Sequence, residues 1–434
     1  MTEIRKVVSV RDAIHRFIRL DRFEFINEIV STPEFQRLRH ITQLGMSPWV
    51  YPSATHSRLS HSLGAMRVME ETIDHFHRIG DVKNDEFEDL MKTALAAALL
   101  HDIGHGPLSH SSELYFPGFE HEAVSAQIIT RPPISDILEK GDIEPSRIVE
   151  ILKHTAKGRD AMLSQLTSSE LDVDRLDYLS RDSYFTGVGF GNVDLDRITS
   201  MLRIFEGEGL LKNHAITLYK GRFAVESYLV GRHLMYQAVY FHKATRGVER
   251  LVLSALRRAV DLKSEGLIPK RLRFLESTAT PSVDEVLAMD DHTIFNALRE
   301  WQSADDPVLS NLCKRILQRN LLKAIELTPE NYRAYHGGVS EKLERVAQKH
   351  NIDPKYLCPI DSASETRYTP YRFKPPDDKT SVETSVFVFD EDENPAEISQ
   401  ASEIVRVLSG KQYLDRLYVP EEIKHETERL FKQK

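Results

Sequence analysis

Cysteine is scarce in this sequence: Cys313 and Cys358 are the only two among 434 residues. They lie far apart and form no metal-binding spacing. That excludes a disulfide framework and a cysteine-ligated zinc site, and points to a reduced, cytoplasmic setting. Long apolar runs are missing as well. None approaches the roughly 18 residues of a membrane span, and the opening Met1-Thr2-Glu3-Ile4-Arg5-Lys6 has no apolar signal segment. A soluble protein with no membrane partner is expected. Basic residues are not in excess, because the net charge is -9. This argues against a wholesale cationic surface for nucleic acid, but leaves room for a local basic pocket. Repeats and low-complexity tracts are absent. With 41% hydrophobic and 28% charged residues the composition is ordinary globular, and the length suits two or three domains' worth of core.

Hydrophobic spacing predicts a mainly α fold with a small C-terminal α+β region. Residues 4–20 read as short strands or a hairpin, and 23–29 as a short helix. Ser31-Thr32-Pro33-Glu34 is a helix start, with a hydroxyl cap, an early proline and an acid in the first turn. That helix is expected to continue to Gly45, with Arg37 and Arg39 on a solvated face. Further helices are predicted over 57–79, 86–100, 119–129, 145–154 and 169–181, and Gly64 inside the first reads as a close-packing position. Residues 200–206 and 214–219 read as a hairpin around Gly207-Glu208-Gly209. One long helix over 222–264 follows, then more helices over 283–325. A proline-rich linker over 367–378, strands over 386–389 and 413–419 and a helix over 396–408 set the tail apart. The expected division is therefore 1–330 and 331–434.

Histidine, by contrast, is concentrated: nine of the 18 fall between His40 and His121. It is the commonest neutral metal ligand and the natural acid-base group near neutral pH. The run Leu99-Leu100-His101-Asp102-Ile103-Gly104-His105-Gly106-Pro107-Leu108-Ser109-His110 ends a helix that is apolar on every side, hence buried. A helix C-terminus carries partial negative charge, which favours a cation. The mixed nitrogen and oxygen donors suit Mn, Fe, Co, Ni or Zn. His61 and Asp174 are the candidates to complete the set. Asp174, Asp177, Tyr178, Arg181 and Asp182 share one helix face at i, i+3, i+4, i+7 and i+8, and Arg232, Tyr236, Tyr240 and Lys243 share another. Either stripe also fits a solvated or buried structural face. His15, His40, His56, His75, His77 and His154 read as surface or structural residues.

The order His61, His101-Asp102, Asp174 resembles the H…HD…D pattern of the HD-domain metal-dependent phosphohydrolases. Longer strings are more specific. Glu34-Phe35-Gln36-Arg37-Leu38-Arg39, Gln43-Leu44-Gly45, Arg58-Leu59-Ser60-His61-Ser62-Leu63-Gly64, His101 through His110, and Asp172-Val173-Asp174-Arg175-Leu176-Asp177-Tyr178 resemble the deoxynucleoside triphosphate triphosphohydrolase branch, over residues 10–250. The resemblance implies an HD-domain helical fold and a divalent metal held by His61, His101, Asp102 and Asp174, with Mg accompanying the triphosphate. It implies that His105, His110, His121 and Glu122 line the reaction centre, His110 protonating the leaving 5′ oxygen. Gln43 and Leu44 match deoxyribose contacts. Arg58, Arg175, Tyr178 and Asp182 match the triphosphate and sugar wall, which Arg232, Tyr236 and Tyr240 extend.

Regulated relatives are homo-oligomers, dimers or tetramers, that bind an activating nucleotide near positions matched by Gln36 and Arg39. This chain departs in three places. Tyr236 replaces a frequent histidine, Ser31 replaces an acid that reads guanine, and Ala13 follows Asp12 where a proline is usual. The activity implied is hydrolysis of a dNTP substrate to deoxynucleoside and inorganic triphosphate. The alternatives are another HD phosphohydrolase, a phosphodiesterase or nucleotidase, and a nucleotide-sensing module without turnover.

Overall fold

Residues 94–100 are buried on every side and form the end of the helix Asn84–Leu100, which delivers His101 and Asp102 from the core. The structure, a computed structural model, describes residues 8–432 apart from 206, 208–210, 265, 278, 367–384 and 409–410. The architecture is mainly α with small sheets. The helix Arg58–Ile79, closed by left-handed Gly80, packs along Asn84–Leu100, and Val173–Thr186 packs across it. Gly64 lies in the second contact. A Cβ there would overlap the Asp177 carboxylate and the Arg181 guanidinium. Overpacking of this kind costs about 1–3 kcal/mol. Gly64→Ala is therefore expected to lower the melting midpoint despite the better helix propensity of alanine, and a midpoint at or above wild type would count against this packing.

The N-terminal hairpin pairs Ser9–Asp12 with Arg16–Arg19, Asp12 lying opposite Arg16; residues 4–7 lie outside the described residues. Thr32 caps the next helix through its hydroxyl, 3.3 Å from the Phe35 amide. That helix is only Pro33–Gln36 and tightens into a 3-10 turn over Arg37–His40, so it does not reach Gly45. Arg37 sits in that turn. Instead of lying on a solvated face it is buried, donating to the carbonyls of Met289, Ile103 and His105 at 3.1, 3.0 and 2.7 Å. Arg39 does stay exposed.

The long helix expected over 222–264 is broken. It runs Arg222–Met235, widens into a π turn over Tyr236–Tyr240, and restarts as Lys243–Asp261. The helix expected over 396–408 is likewise two short pieces, Ile398–Ala401 and Glu403–Leu408. Strand pairing crosses residue 330. Lys323–Glu326 pairs with Lys411–Val419, which pairs with Ile360–Thr366. The 202–217 hairpin extends into a four-stranded sheet through Phe387–Phe389 and Pro395–Glu397. The tail strands thus complete sheets begun before residue 330. The proline-rich stretch 367–378 and the turn residues 208–209 lie outside the described residues. Cys313 and Cys358 are both buried and unpaired. Among the described residues no helix is long and apolar enough to cross a membrane.

Candidate active site

His101 continues the helical path of Asn84–Leu100, and its Nδ1 donates back to the Ala98 carbonyl at 2.8 Å. His61, in the first turn of Arg58–Ile79, donates Nδ1 to Asp177 at 2.8 Å. Each ring is thereby fixed with Nε2 left over, and both Nε2 atoms are buried without a hydrogen-bond partner. His61 Nε2 lies 3.0 Å from Asp174 Oδ1 and 3.5 Å from Asp102 Oδ2. His101 Nε2 lies 3.7 and 3.4 Å from the same two oxygens. Burial works against a proton on His61, but Asp174 and Asp177 outweigh it and raise its pKa to about 9. His101 is raised in the same way by Asp102 and Asp174. Two orphaned imidazole nitrogens facing two carboxylates are a donor set that fits a divalent metal.

The back of this centre is also built. Asp177 accepts from His61, from His15 Nε2 at 2.6 Å, and from Arg181 at 2.9 Å through two bonds. Arg181 reaches on to Asp12 at 2.7 Å. The charged stripe on Val173–Thr186 therefore divides: Asp174, Tyr178 and Asp182 border a cavity, while Asp177 and Arg181 turn behind His61. His15 comes from the hairpin turn, which sequence periodicity alone did not tie to any site.

Past the Gly104–Pro107 break, His105, His110 and His121 come together. Their ring centroids are 3.9 Å apart for His105 and His121, 4.8 Å for His105 and His110, and 5.3 Å for His110 and His121. His105 is fully buried and does not border the cavity. Its Nε2 sits 3.2 Å from Asp102 Oδ1, and burial, then Arg58 and His121, hold it well below the usual histidine range. It is a neutral spacer between Asp102 and His121. The acid partner of His121 is Glu113, at 2.5 Å from Nδ1, not the neighbouring Glu122, which is exposed on the cavity rim. Glu113 also lies 3.7 Å from His110 Nδ1. Burial raises the Glu113 carboxyl, but His110 and His121 outweigh it and hold it at about 2. A depressed carboxylate stabilises the fold fully above its ordinary 4.5 and loses this as pH falls toward about 2. Wild type and Glu113→Gln are expected to differ in melting midpoint at neutral pH and converge near pH 2.

The cavity measures about 760 Å³ and is bordered by Gln43, Leu44, Arg58, His110, His121, Arg175, Tyr178, Asp182, Tyr236 and Tyr240, among others. Arg58 is held by Asp102 and Ser109. Burial opposes ionisation of Asp102, but Arg58, then His101 and His105, keep its carboxyl well below the usual range. Asp182 is fixed from two sides, by His56 Nε2 at 2.7 Å and by the Tyr240 hydroxyl at 2.8 Å. Arg175 bonds the Asp172 carboxylate. The amide oxygen of Gln43 is buried without a partner. Arg232 is not on the wall. It pairs with Glu170 at 2.6 Å, from the regular helix Arg222–Met235 ahead of the π turn. Lys243 borders a second, smaller cavity of about 220 Å³ with Arg319, Lys323 and Lys424. Gln36 and Arg39 bond each other at 3.0 Å, outside the cavity wall.

Residues 58–182 match the HD domain family, and residues 193–433 match the HD associated region. The uncharacterized protein YwfO of Bacillus subtilis is 33% identical over 422 residues, covering 95% of this chain and 92% of that protein. A phosphohydrolase structure from Bacteroides thetaiotaomicron superposes with a TM-score of 0.79 at 30% identity, covering 96% of this chain and 100% of that one. The Dictyostelium discoideum protein described as a deoxynucleoside triphosphate triphosphohydrolase SAMHD1 homolog is 26% identical over 331 residues, covering 73% of this chain and 60% of that protein.

Proposed function

The chain belongs to the HD-domain family that carries an HD associated region, and on that premise we propose that it hydrolyses deoxynucleoside triphosphates to deoxynucleoside and inorganic triphosphate. The observation that supports this most directly is one cavity bordered by His101, Asp102 and Asp174, with His61 buried just behind them, and with guanidinium and phenol groups on its walls. A divalent metal at those donors would polarise the α-phosphate and lower the pKa of a water; Mn, Fe, Co, Ni or Zn suit the donor set, with Mg on the triphosphate.

The chain's own residues do the rest. Arg58 and Arg175 offer charged donors to phosphate oxygens. Tyr178, Tyr236 and Tyr240 form a rim of rings, with Tyr178 and Tyr236 each edge-on to Tyr240 at 6.0 and 4.8 Å, against which a sugar and base can pack. Gln43 supplies an unpaired acceptor for the deoxyribose. His110, exposed at the cavity, delivers a proton to the leaving 5′ oxygen, while Glu113 and His121 hold it in place.

A homo-oligomer and an activating nucleotide belong to the same proposal. Size-exclusion chromatography with and without added nucleotide reads both. Product identification tests the reaction itself. With Mn or Mg and each dNTP, each NTP and a simple phosphodiester, inorganic triphosphate from dNTPs is expected. Monophosphate with pyrophosphate, ester cleavage alone, or binding without product would each overturn the reading.

A further inference from the structure

The loop that carries His110 is strained. Leu108 and Ser109 are consecutive non-glycine residues in the left-handed region, at φ 59° and 61°. Such residues persist only where their surroundings over-determine them. Ser109 is held by Arg58. Leu108 is held by a residue 183 positions away: its amide donates to Asp291 Oδ1 at 2.6 Å.

The other oxygen of the same carboxylate, Oδ2, accepts the amide of Thr42 at 2.9 Å. Thr42 immediately precedes Gln43 and Leu44 on the cavity wall. Asp291 is buried and opens the helix Asp291–Trp301, where the exposed amides of a helix N-terminus favour an anion. Burial raises its carboxyl, and the bonds from Leu108 and Thr42 oppose that. The Arg37 guanidinium makes a second tie between the same segments, joining Met289 to Ile103 and His105. Trp49 stacks on Phe295 of the Asp291 helix at 5.4 Å, so the 42–49 segment touches that helix at both of its ends.

We propose that Asp291 is a positioning residue of the active site: one carboxylate from the HD associated region braces the Thr42–Gly45 wall against the strained loop that presents Ser109 and His110. Two cavity walls that belong to different parts of the chain are thus set at a fixed separation by the two oxygens of one side chain. This rests on the hydrolase reading for its effect on rate, but the brace itself is independent of substrate.

Asp291→Asn and Asp291→Ala test it in the full chain. Asparagine keeps one acceptor oxygen and alanine none. In alanine, kcat for the dNTP is expected to fall about a hundredfold and KM to rise about tenfold, since wall and loop both move, and a misplacement of about 1 Å costs on this order. Asparagine should fall between alanine and wild type. A variant that merely unfolds in part would lose kcat in proportion to its folded fraction and keep the wild-type KM; that result overturns the proposal. Amide hydrogen exchange reads the brace without a substrate. Thr42 and Leu108 are expected to exchange at least tenfold faster in alanine, with Met69 and Leu99 in the core unchanged. Equal protection of Thr42 and Leu108 in the two proteins also overturns it. Failure of the wild type to release triphosphate would instead remove the substrate assignment.

Discussion

Asp174→Asn is expected to lose bound metal and to release triphosphate about a thousandfold more slowly than wild type, with the fold intact. A Lewis-acid metal contributes several kcal/mol to stabilising the charge that develops on a phosphoryl group. At 1.36 kcal/mol per decade that is about three decades. Asp174 is a cleaner variant than Asp102. The Asp102 carboxylate is buried against Arg58, so its removal strands a buried guanidinium, and breaking a buried pair costs about 3–5 kcal/mol. Loss of activity in Asp102→Ala would then mix a missing ligand with a damaged loop. Among the described residues Asp174 has no arginine partner, and its side chain is 27% exposed. Asparagine preserves its shape. Metal per chain, melting midpoint and triphosphate release should be measured together. Full metal content with full activity would sink the ligand assignment, whereas full metal with lost activity would make Asp174 a substrate contact.

His15 extends the same logic outward. Its bond to Asp177 helps hold the carboxylate that orients His61. Partners one shell out from a metal typically change affinity by about 10- to 100-fold. His15→Ala is therefore expected to weaken metal binding by that factor in a competitive chelator titration, with a smaller change in kcat once metal is saturating. Unchanged affinity would leave His15 as packing only.

The sequence made some of this site legible and hid the rest for definite reasons. Residues on one helix face can be paired from spacing, so Asp174, Tyr178 and Asp182 at i, i+4 and i+8 were readable as a wall. The same rule merged Asp177 and Arg181 into that wall, although at i+3 and i+7 they point to its far edge and meet the N-terminal hairpin. Glu113 was within reach: it stands three residues after His110, a helical neighbour, while Glu122 is merely adjacent to His121 and diverges from it by about 100°. Asp291, His15 and His56 arrive from distant segments, and a single sequence has no term for such contacts. The break at Tyr236–Tyr240 was hidden differently. Apolar periodicity continues through a π turn, and the widened turn shifts the face of the residues that follow it, so Lys243 leaves the face of Tyr236 and Tyr240 for the smaller cavity. Strand pairing across residue 330 is non-local as well, so a change in composition there says nothing of it.

His110→Ala is expected to lower kcat for dNTPs by about 10²- to 10⁴-fold, the usual range for a general acid, while metal content stays at the wild-type level. The reasoning is chemical. A 5′ alkoxide is a poor leaving group unless a proton arrives as the ester bond breaks, and His110 is the exposed member of the histidine cluster at the cavity, its side chain 67% accessible. His105 is sealed behind His121, and His121 is tied to Glu113, so neither is as free to meet the oxygen. The decisive comparison uses a leaving group that needs no proton. With a 4-nitrophenyl phosphodiester, His110→Ala should regain most of the wild-type rate, because 4-nitrophenolate departs unaided. Asp174→Asn should stay slow on both substrates, since it impairs the phosphorus end rather than the leaving oxygen. Glu113→Gln should fall between, as it loosens the acid without removing it. If His110→Ala is equally impaired on the activated ester, His110 is a phosphate contact instead, and the proton must come from His121 or from water.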